Sequence, residues 1–121
     1  MSWEFKNGIP IYQQIILRLK TDIAAGVIRP GDRMPAVREL ALEAGVNPNT
    51  MQRALAQLEA EHILYTVRTS GRYVTEEIRL LEEMRVQLAE EHIRALFETL
   101  EALGMSRGEI ADAVKGWKEK E

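Results

Sequence analysis

The 121 residues, 45% of them hydrophobic, suffice for one domain, or one small domain with an appendage, around a modest core. The absence of cysteine excludes a disulfide framework and a thiolate metal site, no apolar run approaches the ~20 residues that span a bilayer, and the opening MSWEFKNG has no apolar leader, so a cytoplasmic protein without membrane contact is expected. The formal net charge of −3 is unevenly spread: residues 1–75 hold nine Lys and Arg against seven Asp and Glu, residues 76–121 seven against twelve, which leaves a positive N-terminal part able to meet phosphates.

Ile9-Pro10-Ile11-Tyr12 opens a first helix, and Tyr12, Ile15, Ile16, Leu19 and Ile23 give it an apolar stripe. Gly26 can end it, and Arg29-Pro30-Gly31-Asp32 reads as a turn, because Pro fixes φ and Gly supplies the positive φ that follows. A second helix is expected from Pro35 to Ala44, with Val37, Leu40 and Ala41 on one face and Gly45 as its left-handed stop. Asn47 and Pro48 restart a helix. Asn caps an orphan N–H, and Pro at the first helical position gives up no hydrogen bond. Met51, Ala54, Leu55 and Leu58 form the stripe of this third helix, and Asn49, Gln52, Arg53 and Gln57 fall off it. Two short helices joined by a tight Gly-containing turn make a helix-turn-helix, whose second helix enters the DNA major groove. Base edges would meet Asn49, Thr50, Gln52 and Arg53: Asn and Gln pair two-pronged with adenine, Arg with guanine, and Thr reaches a phosphate or a thymine methyl.

Ile63 to Arg68 and Arg72 to Thr75 are β-branched and aromatic runs around Thr69-Ser70-Gly71, the signature of a hairpin. Placed after a recognition helix, it is a wing whose Arg68 and Arg72 would meet phosphate or a minor groove. His62 is expected to pack at its base. From Glu76 to Leu103 a long helix repeats Leu81, Met84, Leu88, Leu96, Leu100 and Leu103, and Gly104 stops it. Ser106 and Glu109 form a capping box for a last helix with Ile110, Ala113, Val114 and Trp117 on its apolar face. Two helices of roughly 45 residues enclose no large core, so the stripe needs a partner. A second copy is the first choice, and the chain's own winged helix the other.

No catalytic constellation is visible. His62 and His92, the two histidines, lie on different elements without metalloprotease spacing, and His92 falls along the long helix. The pairs Glu76-Glu77, Glu82-Glu83 and Glu90-Glu91 point in different directions on a helix, as a solvated face does. No enzyme, metal or cofactor is therefore expected. A small-molecule effector could sit between helices, but the tail specifies none.

Residues 9–75 resemble the GntR-type winged-helix DNA-binding domain of bacterial transcription regulators. The resemblance is carried by PIYQQI (10–15), IRPGDRMPAVRELA (28–41), GVNPNT (45–50), RALAQLEAE (53–61) and SGRYV (70–74). It implies a homodimer on a short palindromic operator in double-stranded DNA. Arg38 would reach DNA from the first helix of the pair, Asn49, Thr50 and Gln52 from the second, and Gly71 with Thr69 and Ser70 would form the wing tip. Ala36 replaces a frequent Ser, Pro48 a frequent basic residue and His62 a frequent Gly. Loss of the basic contact shifts base reading toward Asn49, Gln52 and Arg53. The YtrA-like branch of the family has a similar short two-helix tail, which implies dimerisation, and its members often control transporter genes near their own.

The expected fold is mainly α with a small β-hairpin: a winged helix-turn-helix over residues 1–75 and a two-helix dimerisation tail over 76–121. The expected function is a homodimeric repressor. The acidic tail weakly favours the alternative, a dimeric winged-helix module that binds protein. If Arg53 reads a base, its removal should weaken specific binding most; if Arg72 meets phosphate, its removal should flatten the salt dependence.

Overall fold

The computed structural model describes residues 3–120, which form two compact units divided between Arg85 and Val86. In chain order the elements are α1 (Ile11–Ala24), α2 (Val37–Ala44), α3 (Pro48–Ala60), β1 (Leu64–Val67), β2 (Gly71–Val74), α4 (Ile78–Glu101) and α5 (Arg107–Lys120). This is the mainly helical fold with one hairpin that the pattern predicts.

The core of the first unit follows the helical period. Ile15, Leu19 and Ile23 of α1 are buried, as are Leu40, Ala41 and Ala44 of α2. Met51, Ala54, Leu55 and Leu58 of α3 are fully enclosed, and α3 packs against α1, α2 and β1. It is the central element. Burying each large apolar side chain contributes about 1.5–3 kcal/mol.

Local chemistry sets the boundaries. Gly45 takes φ 71° at the end of α2. The Asn47 side chain accepts from the Asn49 N–H at 2.7 Å, and Pro48 follows at the first helical position. Asn47→Ala should therefore lower the unfolding free energy by about 1 kcal/mol, read in a urea titration. The second helix starts at Val37 rather than Pro35, and the chain just before it is hydrogen-bonded to β2. Met34 N donates to the Arg72 carbonyl at 2.8 Å, and Arg33 bridges Tyr73. Gly31 N also donates to the Val74 carbonyl, and Val74 N to that of Asp32, each at 2.9 Å. Residues 31–34 thus extend the hairpin beyond the two strands that the sequence marks. β1 and β2 pair antiparallel from Leu64↔Val74 to Val67↔Gly71.

His62 does not pack at the base of the wing. It is exposed and takes φ 64°, the left-handed stop of α3, while Ile63 N donates to the Leu58 carbonyl at 3.0 Å. Glycine fits this conformation without the steric penalty of a Cβ, although its unfolded chain has more freedom to lose. His62→Gly should raise stability by roughly 0.5–1 kcal/mol, seen as a higher thermal midpoint.

α4 begins at Ile78, two residues later than expected, after Glu77 N donates to Thr75 Oγ1 at 3.2 Å. It ends at Glu101, and Gly104 takes φ 87° in the turn that follows. Ser106 and Glu109 form the capping box ahead of α5, with Ser106 N to Glu109 Oε1 at 3.0 Å and Glu109 N to Ser106 Oγ at 3.1 Å. The backbone N–H of Ser106, then its hydroxyl, hold the Glu109 carboxyl below its ordinary range. A depressed carboxyl contributes stability above its unfolded value, and the contribution fades as pH falls through the folded value. Acidification should therefore fray the start of α5, and E109Q should remove this pH dependence from the Ser106 amide resonance.

The apolar stripe residues of the tail separate in the structure. Leu81 and Met84 are buried in the part of α4 that belongs to the first unit, and Ile110 is fully buried in the second. These three are covered within the single chain. Leu88 and Leu100 are half-buried. Leu96, Leu103, Val114 and Trp117 are exposed, together with Val86 and Ile93. No helix among the described residues is long and apolar enough to cross a membrane.

Candidate nucleic-acid interface

Because Met51, Ala54, Leu55 and Leu58 face inward, the helical period turns Asn49, Gln52 and Arg53 outward on α3, with Thr50 half-buried beside them. The Asn47 cap fixes the start of this helix and hence the height of Asn49. An open cleft of about 430 Å³ is lined by Ile11, Tyr12, Asn49, Thr50 and Arg53. The Arg53 guanidinium lies over the Tyr12 ring, 3.7 Å from its centroid. Such a contact is worth about 0.5–2 kcal/mol and holds a long side chain that would otherwise sample many rotamers. Arg53 is thereby drawn toward the start of α1.

Gln52 is tied to the wing. Its Oε1 accepts from Arg72 Nη1 at 3.2 Å, while Arg72 Nε donates to Glu59 Oε1 at 3.1 Å. Thr66 of β1 donates its hydroxyl to the same carboxylate. The Thr66 hydrogen bond lowers the Glu59 pKa most; burial opposes it, and the hydrogen bond and charge of Arg72 add to the lowering. Arg72, expected at the wing tip facing phosphate, is instead laid along α3 with its side chain 19% exposed.

The remaining predicted residues take separate positions. Arg38 is exposed on α2, and Arg68 and Thr69 are exposed at the hairpin turn, where Thr69 has φ 68°. The Ser70 hydroxyl pairs with the Tyr73 hydroxyl, and its carbonyl accepts from Arg33 Nη2 at 2.7 Å. Gly71 has φ 134°, and a Cβ there would stand 3.1 Å from Arg33 Nε. A side chain at this position would therefore be strained and crowded. Among the described residues no group of His, Cys, Asp and Glu could hold a metal ion.

Sequence reasoning overlooked Tyr12, Arg33 and Glu59. Tyr12 counted as one more apolar stripe residue, although its place in PIYQQI, ahead of the buried Ile15, leaves its ring free to receive a cation. Arg33 and Glu59 gave no local signal. Their partners, Ser70 and Arg72, lie 37 and 13 residues away along the chain.

This arrangement has close counterparts. The sequence model for "Bacterial regulatory proteins, gntR family" matches residues 11–74. The HTH-type transcriptional repressor YtrA of Bacillus subtilis is 36% identical, over 96% of this chain and 95% of its own. A GntR family transcriptional regulator from Listeria monocytogenes superposes with a TM-score of 0.84 at 38% identity, covering 93% of this chain and 98% of that one. The DNA-binding domain of AraR in complex with operator ORX1 superposes with a TM-score of 0.56 at 27% identity, covering 62% of this chain and 99% of that one. The matched segment is the helix-turn-helix and its wing, and the likeness to YtrA continues through the two-helix tail. This chain therefore belongs to the GntR family of bacterial regulatory proteins, and is a transcriptional regulator of the YtrA-like kind rather than an enzyme.

Proposed function

We propose that the protein is a homodimeric repressor that places α3 in the major groove of a short palindromic operator, with the β1–β2 wing beside it. The observation that carries this reading is the outward face of α3, where Asn49, Gln52 and Arg53 present hydrogen-bonding groups over a fully enclosed apolar base. Arg38 and Arg68 add exposed positive charge for the phosphate backbone, which supplies most of non-specific affinity. The repressor YtrA and the operator-bound AraR domain support the same role. The exposed Val86, Ile93, Leu96, Leu103, Val114 and Trp117 offer a second copy an apolar surface. Two copies would set their α3 helices about 34–36 Å apart, one turn of DNA. The genes implied by the family resemblance are transporter genes near its own.

The test is binding of the purified protein to the DNA upstream of its own gene and to a random duplex, at two salt concentrations, with mass measured by sedimentation. Preference for the promoter, a steep salt dependence and a dimeric mass are expected. Weak, equal binding to both duplexes would favour the protein-interaction module instead. Asn49→Ala should reduce the preference for the promoter by about tenfold while leaving random-duplex affinity in place.

A further inference from the structure

A glutamine amide carries one acceptor, its carbonyl oxygen, and one donor group, its NH₂. Reading adenine uses both: the oxygen accepts from the base N6–H, and the NH₂ donates to N7. Arginine has donors only, so the Gln52 atom 3.2 Å from Arg72 Nη1 must be the oxygen. The amide NH₂ is then the group left for a base. The oxygen retains a second lone pair, but the guanidinium beside it places positive charge where the adenine amino group would approach.

The arginine is itself held in place. Its Nε donates to Glu59 Oε1 at 3.1 Å, and Thr66 fixes that carboxylate from β1. Glu59 lies two helical turns beyond Gln52 on α3, on nearly the same face. The chain Thr66, Glu59, Arg72, Gln52 therefore runs from the wing to the outward face of α3.

We infer that Arg72 is a positioning residue that sets what Gln52 reads: by engaging the amide oxygen, it turns an adenine reader into a donor-only group that selects guanine. Guanine is the base that presents two adjacent acceptors, N7 and O6, in the major groove. The inference rests on α3 being the DNA-reading helix.

The experiment is selection of bound duplexes from a randomised pool by the full-length wild type, Gln52→Ala, Arg72→Met and Glu59→Gln. The position whose preference disappears with Gln52→Ala is the one that Gln52 reads. At that position the wild type should favour guanine over adenine by about tenfold. Arg72→Met keeps the apolar stem of the side chain and removes its donors; it should move the preference to adenine there and leave the other positions unchanged. Glu59→Gln, which takes the charge from the anchor without touching Arg72 or Gln52, should weaken the guanine preference at the same position and serves if Arg72→Met does not fold. The inference is overturned if the wild type favours any other base there, if guanine stays preferred in a folded Arg72→Met, or if its preference is undiminished in Glu59→Gln. It is also overturned if Gln52→Ala erases no preference while an operator is still selected, an outcome that leaves the operator-binding reading standing. A wild type that selects no sequence at all overturns both.

Discussion

Leu55→Ala should lower the thermal midpoint of the N-terminal unit by on the order of 12–24 °C. Leu55 is completely buried on α3, the helix against which α1, α2 and β1 pack. Truncating such a leucine removes its transfer free energy and leaves a cavity that the neighbours fill only in part, about 3 kcal/mol in sum. In a domain of this size each kcal/mol moves the midpoint by roughly 4–8 °C. The same substitution at Leu42, 85% exposed on α2, is the control and should change stability by less than about 0.5 kcal/mol. Circular dichroism melts of the two variants decide the matter. Equal midpoints would mean that α3 is not the centre of the core. Because α3 is also the proposed reading helix, Leu55→Ala should lose DNA affinity in step with the unfolded fraction, with no change of base preference.

Arg53→Ala should weaken binding to operator and random duplex by a similar factor, roughly tenfold, and reduce the salt slope by about 1. Periodicity alone makes Arg53 a candidate guanine reader, whose loss would fall on the operator only. The structure sets its guanidinium on the Tyr12 ring, toward the start of α1. With its guanidinium committed to that ring, Arg53 is expected to meet phosphate rather than a base edge. Tyr12→Leu removes the ring and frees the arginine, and should reproduce part of the loss with an unchanged arginine count. A deficit confined to the operator, at constant salt slope, would return Arg53 to base reading.

The local devices of this fold are written locally. Asn47-Pro48 starts α3, Gly45 stops α2, Ser106 and Glu109 start α5, and the apolar stripe of α3 is enclosed as the 3.6-residue period requires. Each depends on residues within one or two turns of one another. The sequence could therefore specify the helix-turn-helix, the hairpin after it and the family to which they belong.

Which way each arginine points is a different kind of fact. Arg53 and Arg72 look equally free in the sequence. One is drawn to Tyr12 across 41 residues, and the other to Glu59 and Gln52 across 13 and 20. The same holds for residues 31–34, whose backbone pairs with β2 just after the predicted turn, and for Leu81 and Met84, stripe residues that the single chain buries. Backbone propensity and apolar period act over a few residues and so can be read in order along the chain. A long charged side chain or an unpaired strand edge takes whichever partner the packed core brings within reach, and that choice exists only once the tertiary structure has formed.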